Sequence, residues 1–149
     1  MTNHRRAEIS EMPPGESLAL LERNHVGRLA FTLHDRVDIE PMSYVHDDGW
    51  LYMRTSLGTK LETVHHHPFV AFEVGEIEGR FDWRSVVVHG TIYFLDPMHG
   101  DRTAYERAVA VLRSLDPGAF TGEDAAPHRQ SPFRIYANEI SGRRSRFGS

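Results

Sequence analysis

Apolar residues alternate with polar ones in six separate runs of this chain, and helical spacing appears in only a few places. Alternation with a period of two places every second side chain on one face of a strand. Val26–Leu33 reads as the first such strand, with Leu29, Phe31 and Leu33 on one face. His34-Asp35-Arg36 is a tight turn into a second strand, Val37–His46, where Ile39, Pro41, Ser43 and Val45 alternate with Asp38, Glu40, Met42 and Tyr44. Pro41 has no N–H to give to a ladder, so that strand belongs at an edge or carries a bulge. Asp47-Asp48-Gly49 signals a hairpin, and Trp50–Thr55 follows as the third strand. Within it Trp50 and Tyr52 alternate with Leu51 and Met53, so one of these pairs is core. Phe69–Val74, Arg84–Leu95 and Pro132–Ile140 complete the set.

Three segments have helical spacing. Leu18, Leu20 and Leu21 mark a short helix over Glu16–Arg23, behind Pro13-Pro14-Gly15. Leu57, Leu61 and Val64 mark another, stopped by Pro68, and Thr59 with Glu62 has the spacing of a capping box. Ala104, Ala108, Val111, Leu112 and Leu115 form one stripe of a helix over Asp101–Leu115, followed by a long loop over Asp116–Ser131. Short strands joined by turns favour a closed or nearly closed antiparallel barrel over a doubly wound sheet, which would need longer alternating helices and a Gly-x-Gly turn. The expected architecture is a mainly β, six-stranded antiparallel split barrel with flanking helices. It spans residues 16–144, between tails at 1–15 and 145–149.

The 149 residues suit one domain with a real core. A net charge of −4 argues against nucleic acid as the main ligand. The chain has no cysteine, which excludes disulfides, thiolate nucleophiles and Cys-type zinc sites. No apolar run reaches the length of a membrane span, and the N-terminus lacks the apolar stretch of a secretory signal, so a cytoplasmic protein is expected.

The densest candidate chemistry is Arg54-Thr55-Ser56-Leu57-Gly58-Thr59-Lys60, between the third strand and its short helix. Two cations, three hydroxyls and a helix start suit a phosphate monoester, and Gly58 allows close backbone approach. Lys60 offers a point charge, and Arg54 a bidentate grip. The same residues also fit a capped helix after a polar turn, with Lys60 in solvent. The stretch is not a Walker A loop, since the first glycine of that pattern is missing.

Gly49–Lys60, His67–Val74 and Trp83–Gly90, in this order and spacing, resemble the pyridoxamine 5'-phosphate oxidase-like family of FMN-binding split barrels. Val26–Ala30 and Ile140–Arg143 resemble a branch of small flavoproteins grouped with nitroimidazole-resistance proteins, so the likeness runs from about Leu20 to Arg144. The resemblance implies FMN bound non-covalently at the interface of a homodimer, with electrons passed from a reduced donor such as NAD(P)H to a small organic acceptor. It implies that Met53, Arg54 and Thr55 face the flavin and its ribityl chain. Gly58, Thr59 and Lys60 would hold the phosphate, and Met42, Ser43, Tyr44 and Val45 would pass along the ring. Ser85 stands where the oxidases carry a glutamine that reaches the flavin. A deazaflavin-dependent reductase and a non-enzymatic flavin- or haem-binding protein are the alternatives. No protein side chain is assigned a catalytic role, because the chemistry resides in the flavin ring.

Other candidates read more plainly. Adjacent members of His65-His66-His67 point about 100° apart on a helix and cannot converge on one metal ion. Glu73 fits the outward position of an alternating strand, or an ion pair with a neighbouring arginine, better than a pocket carboxylate. Trp83 fits a flavin pocket, a subunit interface or the core. Ser85 and His89 share a strand face, but no third group orients them as a nucleophile and base.

Overall fold

The structure, a computed structural model, describes residues 5–56 and 67–148. The expected helix over residues 57–64, its capping box, and His65 and His66 lie outside them. The elements are β1 (Ala7–Glu11), α1 (Pro14–Arg23), β2 (Val26–Leu33), β3 (Arg36–Ser43), β4 (Val45–Asp47), β5 (Trp50–Thr55), β6 (Phe69–Gly79), β7 (Asp82–Phe94), α2 (Arg102–Leu115) and β8 (Ser131–Phe147). One antiparallel sheet runs β3-β2-β6-β7-β8-β5-β4, with β1 added against β8. The strand count is eight rather than six.

Two differences account for the change. The run read as one strand from Val37 to His46 divides at Tyr44: β3 pairs with β2 at one end of the sheet, and β4 pairs with β5 at the other. The N-terminal segment is not a free tail, since Ala7–Glu11 pairs with Arg143–Phe147. All five of its residues are exposed, so no apolar pattern announces it; its hydrogen bonds come from the edge that β8 offers.

The division at Tyr44 closes the barrel. Ser43 ends one edge of the sheet and Val45 begins the other, so a single residue spans the seam. That is possible only if the sheet curls until its two edges meet. Tyr44 is completely buried. Its N–H donates to the His25 carbonyl at 2.9 Å and its hydroxyl donates to the Leu21 carbonyl at 2.7 Å. Its ring meets Phe72 edge-on, 5.1 Å between centroids. Pro41 lies on β3, an edge strand, where its missing N–H costs no ladder bond.

The barrel interior is filled by Leu29, Phe31, Phe72, Val74, Val86, Val88, Phe133 and Ile135, joined by Leu20 and Leu21 of α1. Leu18 points outward and is partly exposed, whereas Ser17 takes the third buried place on α1. On β5 both predicted faces are covered. Leu51 and Met53 enter the barrel core, while Tyr52 packs with Ala108, Val111 and Leu112 of α2 and has Trp50 beside it. Asp101 caps α2, its carboxylate accepting from the Ala104 N–H at 3.1 Å. Leu115, the last member of the expected stripe, is exposed. Asp48 and Gly49 both have positive φ, as a two-residue type I′ hairpin requires.

Glu76 binds the lower end of the barrel to α1. Its carboxylate accepts from Arg23 at 2.7 and 2.8 Å and from Asn24 at 2.7 Å, with Arg84 at 3.2 Å. The Arg23 hydrogen bond does most to hold this carboxyl down at about 2, with Asn24 and Arg84 helping against the opposing effect of burial. A carboxyl depressed in the folded state adds stability above its unfolded value near 4.5 and loses it as pH falls toward 2. Glu76→Gln should therefore lower Tm at neutral pH and flatten the decline of Tm across that acid window. Thermal scans at a series of pH values test this, and an unaltered acid decline would remove Glu76 from the role.

Candidate functional site

Two regions collect the residues singled out by the sequence: the end of β5 with the seam beside it, and the outward face of β2, β6 and β7. At the first, Met42, Tyr44 and Met53 are buried core side chains, so only their backbones are available to a ligand. Ser43 is exposed, and Val45 and Thr55 are half-buried. Gly58, Thr59 and Lys60 lie outside the described residues. The strand β3 is paired with β2 alone. Its other edge faces the seam, where alternate N–H and C=O groups point away from the sheet.

The guanidinium of Arg54 is already engaged. It donates to both oxygens of Asp124, at 2.5 and 2.9 Å, and to Asp116 at 3.1 Å. The Phe120 ring lies 5.1 Å away in a cation–π contact. The Asp124 side chain is wholly buried, and its carboxylate also accepts from the N–H groups of Phe120 and Ala126, at 2.8 and 2.9 Å. Arg54 first, then those two N–H groups, hold the Asp124 carboxyl well below the usual carboxylate range. Arg54 therefore pins the 116–131 loop to the end of β5, a role the sequence reading did not find. The partner lies 70 residues away, and no local spacing signals it.

On the outward face, Glu73 bridges β2 and β7. One carboxylate oxygen faces Arg28 at 3.3 Å and the other accepts from the Ser85 hydroxyl at 2.8 Å. A side chain at position 75 would come within 2.8 Å of that carboxylate, so Gly75 leaves it room to lie across the strand. Arg28, Glu73 and Ser85 line an open pocket of about 390 Å3 with Trp83 and Ile77 on its apolar side. The outward, arginine-paired reading of Glu73 matches this placement, and the carboxylate lines a pocket as well. The Ser85 hydroxyl is given to Glu73 rather than to His89, which leaves no serine–histidine couple. Trp83 is half-buried on the rim. Among the described residues no group of three His, Asp or Glu side chains could hold a metal ion, and no helix is long and apolar enough to cross a membrane.

The Arg54 network has a measurable weight. Removing one partner of a buried pair strands the other charge, whereas an exposed pair contributes little. Asp124→Ala should lower the urea midpoint clearly more than Glu106→Ala, whose exposed partner is Arg102 at 3.2 Å. Equal effects in urea titrations would show that Arg54 does not anchor the loop.

Comparison with known proteins agrees with this architecture. The family described as pyridoxamine 5'-phosphate oxidase matches residues 13–144. An FAD-binding protein from Mesorhizobium loti is 31% identical, with a TM-score of 0.71 over 91% of this chain and 97% of that one. The FAD-binding protein from Mycobacterium smegmatis, at 22% identity, shares the fold, with a TM-score of 0.67 over 92% of this chain and all of that one. An uncharacterised protein of Rhizobium meliloti is 28% identical over 92 residues, 62% of this chain, and the match spans 61% of that relative's length. A split barrel matched over 13–144 by the family, and shared along nearly its whole length with the Mesorhizobium protein, makes this chain a member of the pyridoxamine 5'-phosphate oxidase family.

Proposed function

We propose that the chain binds FMN non-covalently and serves as an oxidoreductase, passing electrons from a reduced donor such as NAD(P)H to a small organic acceptor. The carrying observation is the seam: a strand edge paired on one side only, beside the end of β5, after which the sequence runs through hydroxyl-bearing residues to Lys60. Membership of the family and the naming of a 31%-identical relative as FAD-binding support a flavin.

The residues present fit such a ligand. The free β3 edge offers backbone donors and acceptors to the polar rim of a flat ring, and preorganised N–H groups favour charge gathered there. The outward residues Val37 and Ile39 of β3 are 75% and 60% exposed, an apolar surface on which a ring can lie. Lys60, Thr59 and Gly58 are the proposed phosphate grip. Arg54 contributes by fixing the 116–131 loop at the end of β5, since its own donors are committed to Asp124 and Asp116. A bound flavin supplies the two-electron chemistry at its ring. The chain's part is to bind it, orient it and keep water away.

A homodimer belongs to the same reading. Phe69 and Ile77 are 76% and 79% exposed on the outward face that also carries Val37 and Ile39. A second copy laid on that face would cover an apolar surface otherwise left in water, and would enclose a ring that one small barrel leaves open. The relatives called FAD-binding make FAD the second reading. Mass spectrometry of the cofactor released by heat distinguishes FMN, FAD, a deazaflavin and haem.

Lys60→Ala should weaken FMN by about 1–3 kcal/mol, the cost of deleting a charged hydrogen-bond partner, while riboflavin, which lacks the phosphate, binds almost unchanged. Fluorescence titration with both ligands tests this. Equal losses for the two would show that the residue acts through folding instead.

A further inference from the structure

The outward face holds a second groove, of about 410 Å3, which shares no lining residue with the Glu73 pocket. Its origin is a change of register in β8. His89 of β7 pairs with Glu139, but the next residue, Gly90, pairs with Ala137, so Asn138 is an extra residue bulged out of the ladder. The bulge reverses the alternation of β8. Before it, Phe133 and Ile135 face the core; after it, Ile140 and Gly142 stand opposite the inward-facing Val88 and Val86, and Glu139 and Ser141 face outward. Without the extra residue Glu139 would continue the inward series. Glycine at 90 is required here, because a Cβ would strike the Tyr136 carbonyl oxygen and the Ile135 side chain.

The bulge thus brings Glu139 and Asn138 beside His89 at one end of a groove whose remaining lining is apolar except for Thr32. Ala30 and Ala71 stand opposite each other across β2 and β6, and their short side chains leave the depression. Phe69 and Val37 flank it and are largely exposed on the single chain; both lie on the face proposed for a second copy, which would roof the groove rather than fill it. Asn138 is steadied by the Thr91 hydroxyl, which donates to its side-chain oxygen at 3.3 Å, leaving its NH2 group available.

We propose that this groove binds a small planar aromatic amide. The ring lies on Ala30 and Ala71 beside Phe69. The amide N–H meets Glu139, and its carbonyl oxygen accepts from Asn138. His89 borders the head and forms the wall nearest Glu139. A carboxylate in place of the amide is disfavoured, because Glu139 would face a like charge. The groove includes Val37 of β3, so the occupant would sit next to the strand assigned to the flavin, as a donor or acceptor must. That last point alone rests on the flavin reading; the binding site stands without it.

Benzamide is the probe, titrated into the whole purified protein and followed by ligand-observed NMR. A ligand of this size should bind in about the millimolar range. Ala71→Leu, which fills the floor from an outward position, should weaken benzamide at least about tenfold, or roughly 1.4 kcal/mol. Glu139→Gln should narrow the preference of benzamide over benzoate. Circular dichroism of each variant controls for folding, and flavin content is read separately by absorbance. Benzamide binding to a protein that takes up no flavin would uphold the groove and sink the flavin reading. No saturation by benzamide, indifference to Ala71→Leu, or benzoate binding as tightly as benzamide would overturn the proposal.

Discussion

Closure of the sheet across Tyr44 is the constraint on which the rest depends. A sheet with β3 at one end and β4 at the other can be joined by one residue only if it is rolled into a barrel. Burying that residue completely, with its N–H and hydroxyl both satisfied, fixes how near the two edges come. The remaining gap is the seam, and along it β3 has an edge free to hydrogen-bond a flat ligand. The fold and the proposed site therefore have a common origin: the curl that makes the core also leaves β3 unpaired on one side.

Charged groups do different work in different places. Glu76 and its arginines fasten α1 over one end of the barrel, where Leu20 and Leu21 fill the interior. Arg54 and Asp124 fasten the loop over the other side of β5. In both cases a carboxylate is saturated by several donors, which offsets the cost of taking it out of water. Glu73 is held more loosely, at a third of full exposure, and stays open to solvent. Burial and saturation thus separate the two fastening carboxylates from the one that lines a pocket.

Much of this was legible in the sequence because alternation is a local property. The runs at Val26–Leu33, Trp50–Thr55 and Arg84–Leu95 lie within β2, β5 and β7 to within a residue or two. The stripe of α2 was equally plain, apart from its exposed last member, Leu115. What escaped was set by distant partners. Ala7–Glu11 is a strand because β8 is beside it, not because its side chains are apolar. The C-terminal half of β8 was hidden because the extra residue at Asn138 breaks the alternation just where the chain turns basic. The division at Tyr44 was hidden because both halves are extended, and a one-residue bridge leaves no turn signature. At the candidate site, the family likeness points to a stretch, with its lysine, that lies outside the described residues. The engagement of Arg54 depends on a loop far along the chain, and no spacing rule reaches it.

The bulge gives the C-terminal strand something like a reading frame. Downstream of Asn138, which side chains meet water and which meet protein is decided by a count of residues rather than by their chemistry. Loss of that one residue would turn Glu139, Ser141 and Arg143 to the inner side of the strand, although every downstream residue kept its identity. Homologues that differ in length at this point should thus show a phase-shifted tail, in which the same polarity pattern recurs one place out of step.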